Sequence, residues 1–291
     1  MLYNVSHTTS YQYTDAVSLC HNLVHLRPRA APRQTCHQSS MIVQPEPRAW
    51  EYLQDYFGNP INLFTIQEPH KKLSIVAKHR IEVAPNPGVP LADSLAWEQA
   101  RDWLGTERTP AALEAYQFAF DSHYIQRDAE LRGYAEPSFA PGRPILEAVM
   151  DLTERIHREF RYDAKATSIA TPLGEVLEHR HGVCQDFAHL QIGCLRSLGL
   201  AARYVSGYLQ TRPPPGRERL VGADASHAWI SVYCPGIGWV DFDPTNNMIP
   251  SQQHLILAWG RDYDDISPIK GVILGGGTHT MTIGVTVAAI V

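Results

Sequence analysis

A cysteine, a histidine and an aspartate follow one another along this 291-residue chain, each in a setting that suits a chemical role. Cys184 comes two residues after Gly182 and opens an apolar-periodic stretch that ends at Gly199, which predicts a helix with the cysteine in its first turn. The positive end of a helix dipole favours a thiolate, the nucleophilic form of cysteine. A glycine just before the turn allows a sharp entry and close approach of a substrate backbone. The amide N–H of a first-turn residue has no partner within its helix, so that of Cys184 can point at a developing oxyanion. Downstream, Ser226-His227-Ala228-Trp229 reads as the start of a strand, and Trp239-Val240-Asp241-Phe242-Asp243-Pro244-Thr245 as a second strand ending in an acid. Nucleophile, base and orienter in that order are the parts of acyl transfer through a covalent intermediate.

The elements that must position these residues can be read by parity. In a strand starting at His227, the residues His227, Trp229, Ser231 and Tyr233 share one face, and Ala228, Ile230 and Val232 share the other. In the next strand Val240 and Phe242 are the core-like pair, which turns Trp239, Asp241 and Asp243 the opposite way. If the two apolar sets share a face, the histidine and both aspartates share the other. A loop closing symmetrically near Gly236 puts Asp243 opposite Trp229, one pair from His227, and leaves Asp241 nearer the turn. The register therefore prefers Asp243 to Asp241 as the histidine's partner without deciding between them. Gln185 beside the cysteine, Asp224 in the loop before the strand, and Trp229 are further candidates to line or support the site. Asp186 falls in the first helical turn, where a carboxylate complements the dipole, so it is read as structural.

Competing uses of the same residues are weaker. His179, His181, Cys184 and His189 crowd together as zinc ligands do, but a helix opening at Cys184 does not put them on one face, and no metal is expected. Cys194 sits on the helix's apolar stripe with Phe187, Leu190, Leu195 and Leu198, while Cys20, Cys36 and Cys234 have no chemical neighbours; all four are read as packing. There is no phosphate-binding or dinucleotide loop, and Asp262-Tyr263-Asp264-Asp265 lacks the glycine and closing glutamate of an EF-hand, so no cofactor is expected.

A net charge of −5 gives no electrostatic case for nucleic acid or an anionic membrane. No apolar run reaches the ~20 residues of a membrane helix, and the N-terminus lacks the basic and apolar regions of a signal peptide. Five widely spaced cysteines with no CxxC argue against a disulfide framework. The expected location is the cytoplasm.

The chain divides into a β-rich unit over 1–88, a helical connection over 89–143, a core over 144–255, and an apolar tail over 256–291 that reads as a β-hairpin around Gly275-Gly276-Gly277. Short strands broken by proline and glycine turns suggest a sandwich-like N-terminal module. Ile145, Val149, Leu152, Ile156 and Phe160 mark one apolar face of a helix. Arg212–Arg217, rich in proline, reads as an exposed loop. The fold class is α+β.

At Gly182-Val183-Cys184-Gln185-Asp186-Phe187-Ala188, Ser226-His227-Ala228-Trp229 and Asp243-Pro244-Thr245 the chain resembles the transglutaminase-like superfamily. The segments Ser18–Arg29 and Gly260–Gly271 are similar to bacterial members that carry a β-rich domain before the core. The resemblance implies a papain-like core in which the cysteine helix packs on an antiparallel sheet, with Cys184, His227 and Asp243 as catalytic residues. It also implies a protein or peptide substrate. Hydrolysis is slightly favoured over transamidation, because no acceptor-binding feature is legible. The rival expectation is a non-catalytic binding or assembly module that works through its N-terminal domain.

Overall fold

The computed structural model describes residues 1–163, 169, 171–211 and 225–290. Strand β1 (Leu2–Val24) runs through the middle of a seven-stranded antiparallel sheet. Tyr3, Val5, His7 and Thr9 turn inward along it, as the alternating sequence predicts. It is followed by β2 (Gln34–Gln44), β3 (Ala49–Gln54), β4 (Pro60–Ile66) and β5 (His70–Val83). β4 and β5 lie end to end along one edge of β1, pairing with Cys20–Val24 and Leu2–Gln12 respectively. β2 and β3 flank them in turn. Long strands broken at a shared level let the sheet curl instead of standing as two separate layers.

Among the described residues the α-helices that follow are α1 (Trp97–Thr106), α2 (Pro110–Tyr116), α3 (Ala129–Ala135), α4 (Ile145–Glu159), α5 (Leu173–His179) and α6 (Cys184–Ser197). The first turn of α2 is Pro110 capped by the Thr109 hydroxyl, which accepts from the Ala112 N–H at 3.3 Å. α4 buries Ile145, Val149, Leu152 and Ile156, the face its periodicity predicts. Between α4 and α6 a short parallel pair, β6 (Arg161–Tyr162) and β7 (His181–Gly182), fixes the chain as it enters α6. A second sheet has the order β10-β9-β8-β11, from β8 (Ala202–Leu209), β9 (Ala225–Cys234), β10 (Gly238–Phe242) and β11 (His254–Gly260).

α6 packs on the face of this sheet that carries Ala228, Ile230, Val232, Val240 and Phe242. Its other sides meet α3 and α5, where Gly193 lets Leu131 and Leu173 approach closely. The sequence suggests one apolar stripe, but the helix is buried all round from Asp186 to Arg196. Its buried amide and guanidinium donors are matched for that burial. The Gln191 amide donates to the Thr153 hydroxyl at 2.7 Å. The Arg196 guanidinium donates to the carbonyls of Phe118, Ala202 and Arg261 and to the Ser122 hydroxyl.

The tail corrects an expectation. β12 (Ile269–Gly275) and β13 (His279–Ile290) do not form a hairpin with each other. Both run antiparallel to β1 along its second edge, Val24 pairing with Ile269, Val17 with Gly275, Tyr13 with His279 and Leu2 with Ile290. Gly275, Gly276 and Gly277 all have positive φ, but they serve a bulge and not a reversal. A Cβ on Gly277 would collide with the Thr14 hydroxyl. The last strand therefore completes the first sheet, and Val285 and Val287 share its core with Tyr3 and Val5. β11 crosses position 256, and its Leu255 and Leu257 pack in that same core, which joins the two sheets.

The segments Ser18–Arg29 and Gly260–Gly271 meet at this junction. The His25 N–H donates to the Pro268 carbonyl at 2.9 Å, and the His25 ring bridges the Ser267 carbonyl and the Asp55 carboxylate. Their role is structural.

Candidate active site

Gly182, Cys184 and Asp186 are tied together by the way α6 begins. The Val183 N–H donates to Asp186 Oδ2 at 2.8 Å, one of the helix's unmatched donors satisfied by an acid in the first turn. Any side chain at 182 would collide with that acid, since a Cβ there would lie 2.8 Å from Asp186 Cβ. Asp186 is buried in this cap, the structural role the sequence suggests. Cys184 is half-buried at the first helical position, with half-buried Gln185 next to it.

The strand register fixes the other two residues. Asp241 pairs with Ser231 and Phe242 with Ile230, which carries Asp243 to the level of Trp229 just past the end of β10. There it bridges to Met248. His227 Nε2 lies 2.7 Å from Asp243 Oδ2. With Nε2 engaged, Nδ1 is the ring nitrogen left for Cys184, which acts on the protonation of the ring. His227 thus links Asp243, through a hydrogen bond, to Cys184, through that effect on its protonation.

Asp243 is fully buried and takes five hydrogen bonds. Oδ1 accepts from the Thr245 and Asn246 N–H groups, and Oδ2 from His227, from Asn246 Nδ2 at 2.7 Å and from His254 Nε2 at 3.0 Å. Burial alone would raise its pKa, but the bonds from His227, His254 and Asn246 hold the carboxyl well below the usual carboxylate range. For His227, burial disfavours the charged ring, yet Asp243 first and Cys184 second outweigh it and push the imidazole up to about 10.

Asn246 and His254 complete this cluster and were not singled out from the sequence. Asn246 had a local signal, since an Asp followed by Pro-Thr-Asn readily folds back on its own N–H groups. His254 had none, because it reaches Asp243 from β11 through the sheet order. Trp229 is fully buried, its ring 6.0 Å from His227 and edge-on to His254 at 5.2 Å. Asp241 does not join His227; it lies in a cross-strand row with Ser231 and Arg203, and its charge acts on Arg203. Asp224 and the 212–217 segment lie outside the described residues.

The crowded histidines before and within α6 do not converge on the cysteine. His189 Nε2 accepts from the Tyr263 N–H at 3.1 Å, and burial lowers the His189 pKa to about 4, which keeps it neutral for that task. His179 and His181 stack on each other at 5.8 Å. Among the described residues, His227, Asp243 and His254 could offer three ligand atoms within 4.8 Å of one another, and hydrogen bonds already join them.

A helix-borne thiol facing a His–Asp pair on an antiparallel sheet, behind a β-rich first domain, defines the class. The chain belongs to the transglutaminase-like superfamily: residues 132–244 match that family, and residues 3–82 match the bacterial transglutaminase-like N-terminal region. An uncharacterized protein of Mycobacterium tuberculosis is 40% identical over 281 residues, 93% of this chain and 87% of its own length. One from Mycobacterium leprae is 28% identical over 286 residues, 97% of each chain. A protein-glutamine gamma-glutamyltransferase of Pseudomonas aeruginosa is 32% identical over 99 residues, 33% of this chain and 15% of that one. The crystal structure of a candidate cysteine protease from Cytophaga hutchinsonii shares the fold, with a TM-score of 0.76 at 22% identity over 99% of this chain and 90% of that one.

Proposed function

We propose that this protein catalyses thiol-dependent acyl transfer or hydrolysis at an amide or peptide bond of a protein or peptide substrate. The observation that carries the proposal is the His227 ring, hydrogen-bonded to the buried, five-fold bonded Asp243 and acted on by the helix-borne Cys184. In this reading the thiolate of Cys184 attacks the carbonyl carbon, forming the C–S bond while the oxygen takes the negative charge. The Cys184 N–H donates to that oxyanion. His227 gives its proton to the leaving amine as the C–N bond breaks, and a thioester remains. Water or a second amine then attacks the thioester and passes a proton back to His227, and the C–S bond breaks to return the Cys184 thiolate. Asp243 orients the ring and stabilises its charged form throughout.

Hydrolysis is the favoured outcome, since no acceptor-binding feature was found along the chain. We also place the protein in the cytoplasm. All five cysteines are unpaired, which suits a reducing compartment, and cell fractionation tests this placement. The chemistry is tested by screening amide and peptide substrates with wild type and Cys184→Ala side by side. Turnover that falls by about 10⁴ or more in the variant is the expected result. Equal turnover, or full cellular function of Cys184→Ala, would favour the binding-module alternative.

A further inference from the structure

Two arginines of the core are both buried and very differently treated. Arg196 spends its donors on three carbonyls and a hydroxyl. Arg203, on β8 and only 6% exposed, has its guanidinium carbon 3.7 Å from the ring centre of Trp259 and 4.1 Å from that of Trp239. Its Nε has no hydrogen-bond partner among the described residues. Asp241 and Glu114 act on it through charge alone. A buried cation held by aromatic faces but lacking an acceptor is an incomplete arrangement.

Arg203 lines a cavity of about 500 Å³ between β10, β11 and the segments that follow β1 and β5. Its walls hold other orphaned groups. Arg33 Nη1, the indole N–H of fully buried Trp229 and Nδ1 of His254 have no hydrogen-bond partner among the described residues. Cys184, His227 and Asp243 do not line this space. Its volume is within the range of roughly 300–1,000 Å³ usual for small-molecule sites.

We infer that this cavity binds a small organic carboxylate, whose oxygens accept from Arg203, Arg33 and the Trp229 indole while a flat body lies among the tryptophans. The lining sets Arg33 and Arg203 against Asp241 and Glu114, so a monoanion suits it better than a dianion. A bound carboxylate would sit one side chain from the active site. His254 faces the cavity, and its other ring nitrogen bonds Asp243.

The test uses full-length protein and three probes: benzoate, its neutral isostere benzamide, and inorganic phosphate. Binding is followed by calorimetry and by tryptophan fluorescence. Benzoate is expected to bind at least about ten-fold tighter than benzamide or phosphate. Arg203→Gln should weaken it by about ten-fold or more, and Arg33→Gln by a smaller factor. Cys184→Ala should bind benzoate as wild type does, which keeps this test independent of the proposed catalysis. Benzoate binding no tighter than benzamide would overturn the inference, and so would a folded Arg203→Gln that binds like wild type. Phosphate binding as tightly as benzoate would contradict the monoanion. Should Arg203→Gln fail to fold, unchanged benzoate binding by Arg33→Gln is the overturning result.

Discussion

The two faces of the four-stranded sheet do opposite work with adjacent residues. Toward α6, β9 and β10 present Ala228, Ile230, Val232, Val240 and Phe242, all in one apolar core. Away from it, the same strands present Trp229, Ser231 and Asp241, with Arg203 of β8 directly across from Ser231. A slip of one residue would exchange the two sets. The apolar face therefore holds the register, and the polar face has chemistry to offer only while the register holds. Asp243 shows how narrow this is: it meets His227, whereas Asp241, two residues back on the same face, belongs to the Arg203 cavity.

Mutations on either face should separate these duties. On the polar face, Asp243→Asn leaves His227, His254 and Asn246 without their common anion. Turnover of any amide substrate found should fall by about 10³–10⁴, with far-ultraviolet circular dichroism confirming that the fold is kept. On the apolar face, Phe242→Ala should cost about 3–5 kcal/mol by denaturant unfolding, as expected for a fully buried aromatic. Once corrected for the folded fraction, its activity should stay near wild type if the register survives; an activity loss as large as that of Asp243→Asn would break the division of labour.

The dependence of stability on pH is a finer test. The His227 pKa is raised from 6.5 to about 10 in the fold. Its contribution is fully present below about 6.5 and lost as pH rises through about 10. Asp243 has the opposite sign, contributing above the ordinary carboxylate range and losing that contribution only as pH falls through its lowered value. His227→Gln should accordingly flatten the decline in stability between pH 6.5 and 10, measured by urea unfolding across that window. The smallest effect is expected at Asp241→Asn, a change of a few-fold at most in turnover, since its charge acts on Arg203 and not on His227.

The hairpin register could be read from sequence because the loop at Pro235–Gly238 is short and the alternation on both sides is strict. Gly238 pairs with Cys234, so the symmetric closure expected at Gly236 is the one that forms. The start of α6 was legible for a similar reason, since its signals are local. Non-local features were not. His254 arrives at Asp243 only through the sheet order, and the tail's glycines look like a turn until the opposite end of the chain is placed beside them. Arg203, on a strand with no charged neighbour, gave no hint of a cavity. Local chemistry reads from the chain; partners supplied by distant strands do not.

The central claim is that Cys184 is the reactive thiol, supported by His227. Cys36 supplies an internal control, because it is also half-buried, and burial pushes its thiol up. The direct measurement is the rate of iodoacetamide labelling at each cysteine near neutral pH, read by peptide mass spectrometry. The account predicts labelling of Cys184 at least about ten-fold faster than of Cys36, with that advantage lost in His227→Ala. Equal rates at the two cysteines, or a Cys184 rate unchanged by His227→Ala, would contradict it.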